Sequence, residues 1–173
     1  LYCGTGFYRP RDSALPPVQP PNETPGGPVY VYSEPDEWTD CGRPGDEGDG
    51  IITLVSYQGG LYAAHQKYPG IFVHEGGQDW RPVGMTQRRT ISLTVYRRKL
   101  LCLANGNQVY EYEGDEAWRL TGELNRSTQN YGAAIFRGDL FVSSWPEGHV
   151  YRFSEDGGWQ AACGRQGIGY QKE

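Results

Sequence analysis

The residues that could do chemistry are scattered along this 173-residue chain. Its three histidines, His65, His74 and His149, lie far apart and form no cluster with cysteines or aspartates at a metal-ligand spacing. Protein metal sites draw such ligands from short, regular spacings or from repeated motifs. We therefore expect no metal and no cofactor.

The acidic residues offer two further arrangements for chemistry. The stretch Gly45–Gly50 is rich in carboxylates, but it lacks the spaced oxygens and the terminal glutamate of an EF-hand calcium loop. Pairs such as Asp115 with Glu116 fall in predicted turns, where carboxylates are ordinarily solvated. The chain also has no Gly-x-Ser-x-Gly elbow and no phosphate-binding loop. We predict that it is not an enzyme, and a glycosidase or lyase is the least favoured alternative.

An aromatic phrase repeated four times defines the elements that carry these residues. Val29-Tyr30-Val31-Tyr32 is followed by Trp38, nine residues after Val29. The same spacing joins three further runs to a tryptophan, namely Ile71–His74 to Trp80, Val109–Tyr112 to Trp118, and Val150–Phe153 to Trp159. The tryptophans recur every 38 to 42 residues, and a period of this size is typical of a repeat architecture.

Each repeat contains four short elements. An alternating apolar run such as Ile52–Tyr57 is followed by a tight turn, a second run such as Leu61–Ala64, the aromatic phrase and the tryptophan strand. The composition, with 25 Gly, 12 Pro, 13 Tyr and 5 Trp, suits short strands and tight turns rather than helices. We predict an all-β fold in which each repeat is a four-stranded antiparallel blade of a β-propeller.

The repeat resembles the kelch-like group of propeller repeats. The resemblance rests on Tyr57-x-Gly59-Gly60-Leu61-Tyr62, on the Val-Tyr-x-Tyr strand and on the tryptophan nine residues later. The chain departs from the kelch pattern after the second strand, where Ala63-Ala64 replaces the double glycine. The resemblance implies a propeller fold and implies no particular partner.

The five tryptophans divide into two predicted classes. Four follow the repeat, and we expect them to pack between blades as a structural core: Trp38, Trp80, Trp118 and Trp159. Regularly spaced aromatic side chains usually serve this purpose because they bury a large apolar area. Trp145 breaks the period, and we predict that it is an exposed aromatic that faces a ligand.

The blade count leaves two arrangements open within a single propeller domain or fragment spanning 1–173. The chain starts with Leu1–Thr5, which matches a second strand, so the first blade is incomplete. Either the chain is part of a larger propeller, which we favour, or Ile168–Gln171 pairs beside Leu1 and closes a four-bladed ring. The Pro-rich residues 7–26 form a loop insertion in the first blade, and this insertion is either a tolerated surface loop or an arm that contacts a partner.

The net charge and the glycosylation sequons indicate which classes of partner and which cellular location to expect. The chain carries 16 basic and 21 acidic residues, a net charge of −5, which disfavours nucleic acid. No apolar run reaches the length needed to span a bilayer, so we expect no membrane insertion. The basic run Arg97-Arg98-Lys99 is interpreted as a solvated turn. The sequons at Asn22 and Asn125 predict glycosylation and a secreted or extracellular protein.

The loops that enter each innermost strand carry the predicted binding residues. In a propeller these loops surround the mouth of the central channel. The candidates are Arg43, Asp46, Arg88, Arg89, Arg126, Gln129, Asn130 and Arg165, together with Trp145. We predict a non-catalytic extracellular interaction or structural module with a protein or glycan partner and possible assembly with further blades or other chains. The alternative is a carbohydrate-binding, lectin-like propeller.

The cysteines are predicted to be free thiols. Cys3, Cys41, Cys102 and Cys163 are too widely spaced for a Cys-x-x-Cys metal site. They occupy recurring positions of the repeat, and equivalent positions in different blades are usually too far apart for a disulfide. Cys3 with Cys41, within one repeat, is the single pairing that deserves a test.

Overall fold

The computed structural model describes residues 1–6, 27–46, 50–85, 87–124, 129–146, 148–154 and 158–163. The insertion 7–26, Asn22, Asn125, Arg126, Arg165 and 168–171 lie outside the described residues, and so do the predictions made for them. The described residues form strands and turns, with no helix among them. None of them therefore belongs to a helix long and apolar enough to cross a membrane.

The strands group in chain order into antiparallel blades. The first blade has three strands: β1 (Tyr2–Gly4), β2 (Val29–Ser33) and β3 (Glu37–Asp40). The second has four: β4 (Ile51–Tyr57), β5 (Gly60–His65), β6 (Ile71–Gly76) and β7 (Asp79–Pro82). Each strand pairs with the next one along the chain.

The remaining two blades repeat this order. The third blade consists of β8 (Thr90–Tyr96), β9 (Lys99–Ala104), β10 (Gln108–Gly114) and β11 (Ala117–Glu123). The fourth consists of β12 (Gln129–Phe136), β13 (Asp139–Trp145), β14 (Val150–Ser154) and β15 (Gly158–Cys163). The all-β propeller prediction is confirmed, and the described part of the first blade is one strand short, as the sequence indicated.

The chain divides into two compact units. The first unit, Leu1–Arg89, holds the first two blades, and the second unit, Thr90–Lys172, holds the last two. In the first unit, Val29, Cys41 and Leu61 form a buried cluster to which Trp80 adds its ring. In the second unit, a larger buried cluster includes Leu103, Val109, Leu140 and Val142. Each unit therefore has its own apolar core between two sheets.

The hairpin that joins the first two strands of a four-stranded blade turns through two residues with positive φ. These pairs are Gln58-Gly59, Arg97-Arg98 and Arg137-Gly138. Two consecutive positive φ angles are typical of a type I′ turn, whose twist matches that of the flanking strands. Glycine suits the second position because it has no Cβ to clash in the left-handed region.

One extra residue enters the innermost strand of each four-stranded blade at the same place. The register skips Ile52 between Ile51 and Thr53, Ile91 between Thr90 and Ser92, and Tyr131 between Asn130 and Gly132. These are β-bulges, which bend a strand and re-aim the side chains beside them. The bulge is therefore part of the repeat, although its side chain changes from isoleucine to tyrosine.

The four repeat tryptophans lie in different environments. Trp80 and Trp159 pack into the clusters of the first and second units. Trp38 is 50 % exposed and its ring contacts Tyr32 at 5.3 Å. Within a unit the repeat tryptophan packs against the preceding blade, and Trp38 belongs to the first blade of its unit. Trp118, on the first blade of the second unit, is half-buried against Tyr112.

Three cysteines are free thiols. Cys3 is exposed, whereas Cys41 and Cys102 are buried. Cys3 pairs with Tyr30 in the sheet, while Cys41 lies in the core with Val29. Since adjacent residues of a strand face opposite sides of a sheet, Cys3 and Cys41 lie on opposite faces of the first blade. The two thiols are therefore not paired with each other, as the prediction of free thiols requires.

Candidate functional site

The residues predicted from the sequence occupy separate places in the structure. Arg43 is half-buried and Asp46 is exposed in the segment after β3. Arg88 is exposed and Arg89 is half-buried just before β8. At the start of β12, Gln129 is half-buried and pairs in register with Trp145, which is 41 % exposed.

Asn130 and Arg43 interact with other parts of the fold. Asn130 is fully buried, and its Nδ2 donates a hydrogen bond to the Gln108 carbonyl at 3.3 Å. Its amide thus ties β12 to the start of β10. The positive charge of Arg43 acts on His65, which is 2 % exposed and contacts the Phe72 ring at 5.2 Å. The Asn130 side chain thus has a structural role within the fold.

Burial, two backbone hydrogen bonds and a nearby charge shift the pKa of His65. Burial has the largest effect and lowers its pKa from the ordinary value, because a charged imidazolium would lose its hydration. The nearby Arg43 charge lowers the pKa further, while hydrogen bonds to the backbone of Pro44 and Gly50 act in the opposite direction. Within the described ranges, no group of three or more His, Cys, Asp or Glu residues is placed to hold a metal ion.

A cavity of about 490 Å³ lies in the second unit between the sheets of the third and fourth blades. This volume falls in the range that accommodates a small ligand or the side chains of a short peptide. We call it the interblade cavity. Eight residues line it: Tyr96, Arg97, Lys99, Leu101, Glu111, Thr121, Phe153 and Trp159.

The apolar wall of the interblade cavity is a row of aromatic rings. Phe153 lies 5.2 Å from Trp159 and 6.1 Å, edge-on, from Tyr96. The Tyr96 hydroxyl donates a hydrogen bond to the Gly138 carbonyl at 2.9 Å, which joins the end of β8 to the β12–β13 turn. Because the rings hold each other in place and Tyr96 is anchored at its hydroxyl, this wall is preorganised.

Trp159 lies against the backbone of β11. A Cβ at Gly122 would be only 2.7 Å from Trp159 Cδ1, so glycine is required for the indole to approach this closely. Trp80 has the related position in the first unit, where its Nε1 donates to the Cys41 carbonyl at 2.7 Å. The Trp159 Nε1 is buried and has no hydrogen-bond partner among the described residues. Such an unsatisfied donor costs about 1–3 kcal/mol.

The polar wall is built around Glu111. Its carboxylate accepts from Lys99 at 3.1 Å and from Arg119 at 2.7 Å. Arg119 also bonds Glu113 at 2.7 Å. The side chain of Glu111 is 15 % exposed, while Lys99 and Arg119 are 55 % and 50 % exposed. Glu111 is therefore the more buried member of both ion pairs and holds the two cations in place.

Sequence reasoning missed this site. Its lining residues come from six strands and one turn of two blades, and only Tyr96, Arg97, Lys99 and Leu101 are close together in the sequence. One local signal was present: Arg98 stands where the equivalent turns of the second and fourth blades have Gly59 and Gly138. A residue type that breaks a repeat at a turn requiring glycine is a reason to examine that turn.

Comparison with known proteins yields structural similarity alone. No protein-family model matches the chain, and no curated protein matches it. Several solved structures do match. YCF48 bound to D1 peptide has a TM-score of 0.58 and 16 % identity over 79 % of this chain and 47 % of that one. A structural genomics protein of unknown function from Bacteroides thetaiotaomicron has a TM-score of 0.60 and 17 % identity over 86 % and 45 %.

YCF48 from Cyanidioschyzon merolae matches with a TM-score of 0.53 and 18 % identity over 80 % of this chain and 53 % of that one. The chain thus spans about half the length of each of these three structures. Identities this low support a common fold and carry no residue roles.

Proposed function

We propose that this chain is a non-catalytic protein-binding module that receives a segment of its partner in the interblade cavity. The observation that carries the proposal is the combination of a preorganised aromatic wall with a charged wall around one open cavity. Binding sites are typically apolar concavities in which a few fixed polar groups set the orientation of the ligand.

The chemistry of the cavity suits a peptide. An apolar side chain of the partner would pack on the rings of Phe153 and Trp159, which line the cavity. Aromatic residues at binding surfaces contribute a large contact area at a low cost in conformational entropy. One of the structures with a similar fold, YCF48, is described with a bound peptide, which is consistent with this use of the scaffold.

The proposal is tested by panning a random peptide display library on the full chain. We expect enriched peptides to compete with one another and to change the intrinsic tryptophan fluorescence of the chain. The site is tested with Thr121→Trp, which fills the cavity. Its matched control is Leu120→Trp, at a neighbouring position of β11 that is 46 % exposed and does not line the cavity.

Thr121→Trp should abolish binding of the enriched peptides while Leu120→Trp retains it, with both variants shown to be folded by their thermal unfolding. Equal binding to both variants would refute the interblade cavity as the site. Failure to enrich any peptide, combined with a positive glycan array, would replace the proposal with the lectin-like alternative.

We also propose that the chain is a kelch-like propeller and that it is extracellular. The kelch-like assignment rests on Tyr57–Tyr62 and on the tryptophan spacing. The extracellular setting rests on the sequons at Asn22 and Asn125. Expression through a eukaryotic secretory pathway should yield glycosylated protein that shifts in mass on enzymatic removal of N-glycans, and no mass shift would argue against that setting.

A further inference from the structure

The β8–β9 turn at the mouth of the interblade cavity has an unfavourable backbone for its sequence. Arg97 and Arg98 have φ angles of 49° and 64°. In the equivalent turns the second position is Gly59, with φ 83°, or Gly138, with φ 86°. The left-handed region brings the Cβ of any other residue close to the following carbonyl, so an arginine at 98 is less stable there than a glycine.

Strain that persists in a fold is concentrated at binding and switch sites. Nothing within the turn requires arginine, because a glycine forms the same turn in two other blades. Because the Arg98 side chain is exposed, it contributes a positive charge at this turn and little packing.

Arg98 lies in the turn between Arg97 and Lys99, which line the cavity, and it belongs to a group of cations that we call the basic rim. Its members are Arg97, Arg98, Lys99 and Arg137, all of them exposed. The Tyr96–Gly138 hydrogen bond holds the β8–β9 and β12–β13 turns side by side. Arg97 and Arg137 lie over the rings of Tyr96 and Phe136 at 5.1 and 5.2 Å, which restricts both guanidinium groups. The basic rim is unusual on a chain of net charge −5.

We infer that the interblade cavity binds an acidic peptide segment that carries an apolar anchor residue. The inference rests on the proposed function and specifies its ligand. The anchor side chain contacts Phe153 and Trp159 inside the cavity, and the flanking carboxylates of the ligand meet the basic rim. Charges at the rim of an interface chiefly accelerate association and select against partners of the wrong sign.

The experiment uses three labelled synthetic peptides with the same central leucine. The leucine is flanked on each side by two glutamates, two glutamines or two lysines. A single-stranded oligothymidylate of similar length serves as a polyanion without an apolar anchor. The proteins are the wild-type chain, Arg98→Gly, Arg98→Lys, and Lys67→Gln, which removes one exposed positive charge in the first unit.

The acidic peptide should bind most tightly and the lysine peptide least tightly. Arg98→Gly should lower the affinity for the acidic peptide by about fivefold, mainly through slower association. The same variant should have a melting temperature about 3 °C higher than the wild type. Arg98→Lys should retain binding, and Lys67→Gln should match the wild type. A variant that becomes more stable and binds more weakly separates the role of Arg98 in binding from any role in folding.

Equal affinity for the glutamate and glutamine peptides, or unchanged binding by Arg98→Gly, would overturn the inference while leaving a peptide-binding function intact. Tighter binding of the oligothymidylate would overturn it in favour of a nucleic-acid ligand. Absence of binding to all three peptides would also overturn it, and the unbiased peptide library would then decide the proposed function separately.

Discussion

At the scale of single residues, His65 couples the stability of the first unit to pH. Its pKa is lowered in the folded chain, chiefly by burial, so the unfolded chain binds a proton at a higher pH than the folded chain does. As the pH falls below the ordinary histidine value of 6.5, the unfolded state gains protons first and the free energy of unfolding falls.

Urea unfolding at neutral pH and at about pH 5.5 tests this coupling. The free energy of unfolding of the wild type should decrease between the two conditions, and His65→Gln should show a smaller decrease because it has no imidazole to protonate. Parallel losses in the two proteins would show that His65 is not the group responsible.

Cys102 illustrates the effect of burial on a group that ionises at high pH. Burial raises the pKa of its thiol to about 12 from 9.0, and the hydrogen bond with Thr90 offsets only part of this rise. The thiolate is the reactive form, so iodoacetamide should modify the exposed Cys3 in the native chain and Cys102 only after unfolding. Mass spectrometry of the peptides measures both, and early modification of Cys102 in the native chain would contradict its burial.

The same shift has a consequence for stability at alkaline pH. The contribution of the Cys102 thiol is complete below pH 9.0 and is lost as the pH rises toward the folded value of about 12, because the unfolded thiol ionises first. Cys102→Ala should therefore lose less stability than the wild type between neutral pH and about pH 10. An identical loss in the two proteins would assign the alkaline destabilisation to other groups.

At the scale of elements, the repeat tryptophans join neighbouring blades by two different means. Trp80 contributes its ring and an Nε1 hydrogen bond to Cys41, whereas Trp159 contributes its ring and lacks such a bond among the described residues. Trp80→Phe should leave the Cys41 carbonyl unpaired and should cost about 1–3 kcal/mol more than Trp159→Phe. Trp38→Phe should change stability by less than about 0.5 kcal/mol because Trp38 is half exposed.

Urea unfolding of the three variants ranks these costs. Equal costs for Trp80→Phe and Trp159→Phe would mean that the indole hydrogen bond contributes nothing net. A large cost for Trp38→Phe would show that the exposed Trp38 ring is covered in solution.

The strands and turns could be predicted from the sequence because their signals are local. Alternating runs such as Ile52–Tyr57, glycine turns and the tryptophan spacing each act within a few residues. The exposure of Trp38 could not be predicted from the sequence, because it depends on whether another blade of the same unit packs against it. The interblade cavity could not either, because Tyr96, Glu111 and Phe153 come from different strands and meet only when two blades pack.

The candidate binding residues chosen from the sequence were all selected by their position in a loop. This criterion placed Arg43, Arg88 and Asn130 in loops that enter the innermost strands, where propellers often bind ligands. Loop position does not reveal the side-chain contacts of the folded chain, in which the Asn130 amide donates a hydrogen bond to the Gln108 carbonyl. The basic run Arg97-Arg98-Lys99 is typical of a solvated turn by its sequence, whereas in the folded chain Arg97 and Lys99 line the interblade cavity.

At the scale of the whole molecule, net charge and histidine protonation act in the same pH range. The chain has a net charge of −5 at pH 7 and an isoelectric point of about 5.2. Near that pH its net repulsion disappears, which promotes association, while protonation of His65 in the unfolded state lowers stability. Light scattering should therefore rise steeply as the pH approaches 5.2, and His65→Gln should reduce this rise. Unchanged scattering by the variant would attribute the rise to net charge alone.

The bulges at Ile52, Ile91 and Tyr131 have a consequence for engineering. Each additional residue shifts the alternation of side chains along its strand by one position. Odd-numbered positions therefore face one side of the sheet before the bulge and the other side after it. A designer who transplants one blade, or builds a consensus from all of them, must copy that surplus residue. Omitting it would turn the inward half of the strand outward, and a sequence that looks correct by its apolar pattern would then expose its core.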